Sequence, residues 1–102
     1  WPEMLRLWAL TATGVHAWTT TVETSFGTIE GVRQASPGCD KWLGVPYAKA
    51  PVGDLRFEST APWTEHFGTL HATQLGLPCT QPKGGGEDCL FLNVWRPVTP
   101  SD

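Results

Sequence analysis

The sequence predicts an α/β fold of which this chain holds only a part. The segment "LFLNVWR", Leu90 to Arg96, alternates imperfectly and is apolar almost throughout, which suits a strand covered on both faces inside an α/β sheet. Nine prolines and eleven glycines make about a fifth of the 102 residues punctuation, so long helices are disfavoured and strands joined by turns are favoured. The chain therefore has almost no helix with which to cover Leu90–Arg96. Covering elements are expected beyond Asp102 or in a partner. The start at Trp1 and the end at "RPVTPSD", just after the strand-like run, lead to the same expectation of a fragment.

The totals bound the rest. With 40% hydrophobic residues and six tryptophans, 102 residues suffice for one small domain and leave no room for a second. A net charge of -3 gives no basic face to neutralise phosphates or to dock on anionic lipid, so no nucleic-acid or membrane partner is expected.

Residues 1–17 read as a leader. Met4 and Arg6 precede an apolar stretch from Leu7 to Val15, and Val15-His16-Ala17 forms an Ala-x-Ala-like cleavage pattern before Trp18. Trp1 to Glu3 are then upstream readthrough. The stretch is far short of the roughly twenty apolar residues that span a bilayer. A secretory signal, and so an extracellular protein, is the expectation for residues 1–17. A disordered or packed N-terminal segment is the alternative. The folded portion is expected over residues 18–102.

From Thr19 to Arg33, "TTTVETSFGTIEGVR" is rich in threonine and β-branched residues with a Ser-Phe-Gly break, which predicts a hairpin of Thr20–Thr24 and Thr28–Arg33. Gly27 supplies the positive φ that a tight turn asks for. After a turn in "QASPGCD", "KWLGVPY" reads as a short third strand stopped by Pro46, which has no amide hydrogen to give a ladder. The prolines and Gly53 of "AKAPVGDLRFESTAPW" exclude regular structure over most of its length. It is either an ordered loop held by side chains or disordered. Arg56, beside Phe57, is a candidate anchor for that loop, or else a solvated surface arginine. "TEHFGTLHATQLG" supplies at most one weak helical turn. His66 and His71 are five apart with no H-E-x-x-H arrangement, and read as surface residues.

Cys79 and Cys89 bracket nine residues that include Pro82 and Gly84 to Gly86. In a secreted chain this spacing is compatible with a small disulfide loop. On the chain-entropy estimate such a bond stabilises by roughly 2.5 to 3 kcal/mol. Cys39 is left over. Three thiols without a Cys-x-x-Cys spacing do not make a zinc site, and no metal or other cofactor is expected. Gly84 to Gly86 lack the lysine-serine end and the following helix of a phosphate loop, and read as a flexible turn. Asn93 is followed by Val94 and Trp95, so it is no glycosylation sequon.

In this order, "TSFGTIEG", "LGVPYAKAPVGDLRF", "APW" and "EDCLFLNVWRP" resemble the N-terminal region of type-B carboxylesterases, the group that includes cholinesterases and fungal extracellular lipases. The likeness runs from about Val22 to Pro97. It implies the α/β-hydrolase fold, with the hairpin in a small N-terminal antiparallel sheet and Leu90–Arg96 as an early strand of the main sheet. It also implies a disulfide between Cys79 and Cys89, and an ion pair between Arg56 and Glu87. Breaking a buried pair of that kind costs about 3–5 kcal/mol. The implied activity is serine-nucleophile transfer of an acyl group to water, with a small-molecule ester as substrate.

That chemistry needs a serine at a G-x-S-x-G elbow, a histidine and an acid to activate it, and backbone donors for the oxyanion. Two residues before Ser25, Ser36, Ser59 and Ser101 stand Glu23, Gln34, Phe57 and Thr99, so none is an elbow serine. The family's oxyanion glycines lie one strand past "NVWRP". No catalytic residue is therefore expected in this chain. The family's lipases carry a mobile lid inside the equivalent disulfide loop; nine residues are too few for one, which favours an open-site esterase. A non-catalytic adhesion or binding relative and a small secreted disulfide module are the alternatives.

Overall fold

The computed structural model describes residues 18–35 and 38–99. The leader expected over residues 1–17 lies outside them. Five strands form one sheet: β1 (Trp18–Thr24), β2 (Gly27–Gln34), β3 (Cys39–Pro46), β4 (Gly68–His71) and β5 (Phe91–Pro97). The order is β1-β2-β3-β5, with β4 paired to β2.

The first hairpin follows from its residues. Trp18–Thr24 and Gly27–Gln34 pair antiparallel from Trp18↔Arg33 to Thr24↔Gly27. Thr24 Oγ1 accepts from the Phe26 amide at 3.1 Å and donates to the Gly27 carbonyl at 2.8 Å, closing the turn from within. Gly27 has φ +128°. A Cβ there would stand 2.4 Å from the Gly68 carbonyl oxygen, so the position also serves the close approach of β4.

The second edge of β2 is shared. Its end pairs antiparallel with β3 at Val32↔Lys41, Arg33↔Asp40 and Gln34↔Cys39. Its beginning pairs in parallel with β4 from Gly27↔Gly68 to Glu30↔His71. The weak helical turn expected within residues 64–76 is thus a strand over Gly68–His71. The cause is tertiary: where β3 turns away, β2 leaves amides and carbonyls open, and "GTLH" completes them.

The proline-rich segment after Pro46 is the ordered form of the two expected. The Lys49 amide donates to the Ala61 carbonyl at 3.0 Å, and Ala48 bridges Pro62. Between them lies a 3-10 turn over Gly53–Leu55.

β5 runs antiparallel to β3, so the hairpin and the "FLNVWRP" strand share one sheet rather than dividing between two. Among the described residues β5 stays uncovered, in keeping with a chain that has almost no helix to lay over it: Leu92 and Val94 on one face and Trp95 on the other are all exposed. The buried apolar residues of the described chain are only Trp42, Ala48 and Ala72. Trp42 fits because Gly31 stands beside it: a Cβ at Gly31 would be 2.2 Å from the Lys41 carbonyl oxygen and 2.7 Å from the indole Cδ1. Gly31→Ala is expected to cost roughly 1–3 kcal/mol by overpacking, read as a lower urea midpoint by tryptophan fluorescence. An unchanged midpoint would show that β2 and β3 separate freely.

Candidate functional site

Two clusters of polar chemistry stand out, one in the sheet and one in the loops. The first lies in a row across three strands, because Arg33 is opposite Asp40 and Asp40 is opposite Arg96. Arg33 donates through Nε to Oδ1 of Asp40 at 2.7 Å and through its terminal nitrogen to Oδ2 at 2.9 Å. Arg96 donates to the same Oδ2. Asp40 is 0% exposed, the most deeply buried side chain described. Hydrogen bonds from Arg33 pull its pKa down to about 2; burial opposes this, and the Arg96 bond and the two positive charges reinforce it. The Arg96 guanidinium also lies 5.5 Å from the centre of the Trp42 ring.

Nothing in the sequence reading singled out Asp40, Arg33 or Arg96. Their chain separations are seven and fifty-six residues. Only a known register puts them in line. The usable signal was weak: charges inside three segments otherwise patterned as strands.

The second cluster holds the residues that the sequence reading proposed. Cys79 and Cys89 are disulfide-bonded, with Cα atoms 5.0 Å apart. The nine residues between them fold back on themselves. Gln81 and Gly84 exchange two backbone hydrogen bonds of 2.9 Å, and the Gly86 amide donates to the Pro78 carbonyl at 2.9 Å. Gly85, at φ +102°, has room only for hydrogen, since a Cβ would be 2.4 Å from the Cys79 carbonyl oxygen. The glycine run is therefore a hydrogen-bonded hairpin turn and less loose than its composition suggested.

Arg56 Nε stands 2.5 Å from Glu87 Oε1, which ties the 3-10 turn to the disulfide loop. The two side chains are 52% and 45% exposed, so this pair is not the buried one envisaged from the sequence. Solvent screens it, and its worth falls from about 3–5 kcal/mol to about 0–1 kcal/mol. Arg56 also sits 5.2 Å from the ring centre of Phe57, which is 96% exposed and takes the left-handed conformation at φ 61°. Arg56→Ala is accordingly expected to shift the unfolding free energy by less than about 1 kcal/mol, measured by urea titration; a loss of several kcal/mol would contradict the screening argument.

The remaining candidates do not converge. His66 Nδ1 accepts from the Gly68 amide at 3.1 Å, while His71 Nδ1 faces Glu30 Oε1 at 3.1 Å. Cys39 is outside any disulfide. No group of three His, Cys, Asp or Glu side chains among the described residues could hold a metal. Ser25 lies in the hairpin turn and Ser59 in the proline-rich loop, and neither is hydrogen-bonded to His66 or His71, the histidines among the described residues.

This arrangement has close counterparts. A carboxylesterase of Geobacillus stearothermophilus superposes with a TM-score of 0.69 at 40% identity, covering 78% of this chain and 16% of that one. The fold is therefore that of the α/β-hydrolase carboxylesterases, present in part. The para-nitrobenzyl esterase of Bacillus subtilis (strain 168) is 38% identical over 91 residues, 78% of this chain and 18% of its own. The chlorogenic acid esterase of Aspergillus niger is 38% identical over 95 residues, 74% of this chain and 18% of its own. The carboxylesterase family model matches residues 19–102, and the chain belongs to that family. It spans about a fifth of the length of these relatives.

Proposed function

We propose that this chain is the N-terminal portion of a secreted carboxylic ester hydrolase, in which a serine outside these residues carries the acyl group from a small-molecule ester to water. The segment itself supplies scaffold: a sheet locked by the Arg33–Asp40–Arg96 row, and a corner held by the Cys79–Cys89 bond and the Arg56–Glu87 pair. The observation that carries this reading is the family match over residues 19–102, set beside a sequence in which no serine has glycine two residues before it. The apolar stretch ending at Val15-His16-Ala17 supports the secretory part, as does a disulfide.

The test is turnover. The purified 102-residue chain is expected to hydrolyse p-nitrophenyl acetate no faster than its Cys79→Ala variant. A polypeptide extended through a G-x-S-x-G segment is expected to hydrolyse it, and to lose the activity when that serine becomes alanine. Hydrolysis by the short chain above its control would overturn the assignment of the chemistry to residues elsewhere.

The compact turn between Cys79 and Cys89 supports a site without a lid in this loop. The extended enzyme is then expected to show a smooth dependence of rate on substrate concentration. A sharp rise at the micellar threshold of a long-chain ester would contradict that.

A further inference from the structure

β5 is apolar on both faces: Leu92 and Val94 point one way, Phe91 and Trp95 the other. Past Leu92 that pattern does not tell one register from the next, since a shift of one residue sets the apolar Trp95 opposite Trp42 in place of the apolar Val94. The β3–β5 ladder moreover contains an irregularity that could travel. Asp40↔Arg96, Lys41↔Trp95 and Trp42↔Val94 pair on one side of it, and Val45↔Leu92 and Pro46↔Phe91 on the other, with a bulge between Trp42 and Val45. If the bulge moved toward the start of β3, Trp42 would face Trp95 and Lys41 would face Arg96.

Two polar contacts flank the bulge where it stands. On one side Arg96 meets Asp40. At the bulge the Gly44 amide donates to the side-chain oxygen of Asn93 at 2.8 Å, while the Leu43 amide turns to the Ala72 carbonyl at 2.9 Å. Both amides that the bulge takes out of the ladder thus keep an acceptor. Gly44 has φ +72°, and a Cβ on it would lie 2.4 Å from the Gln74 carbonyl oxygen, so the left-handed residue of the bulge is suited to this position.

We propose that Arg96 and Asn93 form a register lock, which selects one of two pairings of β3 with β5 that the apolar residues alone leave close in energy. Arg96 acts in both directions. In the observed register it faces the buried carboxylate of Asp40, and in the shifted one it faces Lys41, so one side chain rewards the first pairing and opposes the second. Asn93 favours the bulge where it stands, by giving the Gly44 amide that the bulge takes out of the ladder a side-chain acceptor. The lock also sets how the chain leaves the sheet at Pro97, because a shift by one residue would reverse the face on which every residue from Val94 to Arg96 emerges.

The test is cross-strand NMR contacts in the disulfide-bonded 102-residue chain. The unsubstituted chain is expected to show one set of contacts, with Trp42 opposite Val94. Arg96→Leu combined with Asn93→Ala is expected to show a second set, with Trp42 opposite Trp95, at least about a tenth as populated as the first, while Thr20 still contacts Gly31. Val94→Ala removes apolar surface from the same strand without touching either polar contact, and is expected to give one set. A single set in the double variant would overturn the lock, as would a second set in the unsubstituted chain or in Val94→Ala. Should the double variant not fold, Arg96→Leu alone is read by the same criterion, and one set there overturns the proposal.

Discussion

Asp40→Ala is expected to lower the unfolding free energy by roughly 2–3 kcal/mol. Three donors from two arginines converge on this carboxylate, and it is fully buried. Hydrogen bonds to a charged group contribute about 1.5–3 kcal/mol each when the partner is removed, and breaking a fully buried pair costs about 3–5 kcal/mol. The lower figure applies because Arg33 and Arg96 are 24% and 54% exposed and regain water once the carboxylate is gone. Asp40→Asn, which keeps an acceptor, is expected to fall between. Urea unfolding followed by tryptophan fluorescence checks both. An Asp40→Ala midpoint equal to that of the unsubstituted chain would mean that the two arginines already find equal partners in water.

The same group sets an acid limit. Its pKa falls from 3.8 to about 2 on folding, so the folded state binds the proton more weakly than the unfolded state. The stabilisation is therefore complete above the unfolded pKa and lost as pH drops through the folded one. Between about pH 4 and pH 2 the unsubstituted chain is expected to lose stability that Asp40→Ala does not have to lose. Screening at Arg96 brings the amount to roughly 1–2 kcal/mol. Parallel acid titrations of the two proteins would refute this.

Joint replacement of Cys79 and Cys89 by serine is expected to cost roughly 2.5–3 kcal/mol, chiefly because the unfolded chain regains the freedom of the closed loop. Replacing both avoids leaving one free thiol beside Cys39. The turn itself, with its paired bonds between Gln81 and Gly84, is local and is expected to persist. What should loosen is its attachment, including the Arg56–Glu87 contact. Hydrogen exchange would then rise in residues 53–57 as well as in the loop, with β1 and β2 unaffected. Uniform loss of protection across the sheet would show that the bond holds more than its corner.

The strands legible in the sequence were those whose reasons are local. Thr20–Thr24 and Thr28–Arg33 announce themselves through β-branched residues around a glycine turn; the observed β1 begins two residues earlier and ends at the same Thr24, and β2 is one residue longer at each end. "LFLNVWR" was legible as a strand for the same reason, and "KWLGVPY" up to its proline. Gly68–His71 was not, because four residues with a glycine carry no strand signal until β2 offers them an open edge. Within the sheet, Asp40 looked like one acid among ten, and its importance arises only when Arg33 and Arg96 are brought to either side of it.

The strand-rich class, the turns, the membership visible in "GDLRF" and "EDCLFLNVWRP", and the lack of a G-x-S-x-G pattern around any of the four serines can all be read from neighbours within a few residues. Tertiary structure alone decided that one sheet holds all five strands, that β4 is a strand, that Arg56 and Glu87 meet near the surface, and that a buried aspartate ties β2, β3 and β5 together. The physical reason is range. Propensity and turn chemistry act between adjacent residues, whereas register, burial and the field at a carboxylate depend on which strands lie side by side, and the linear order of residues does not contain that.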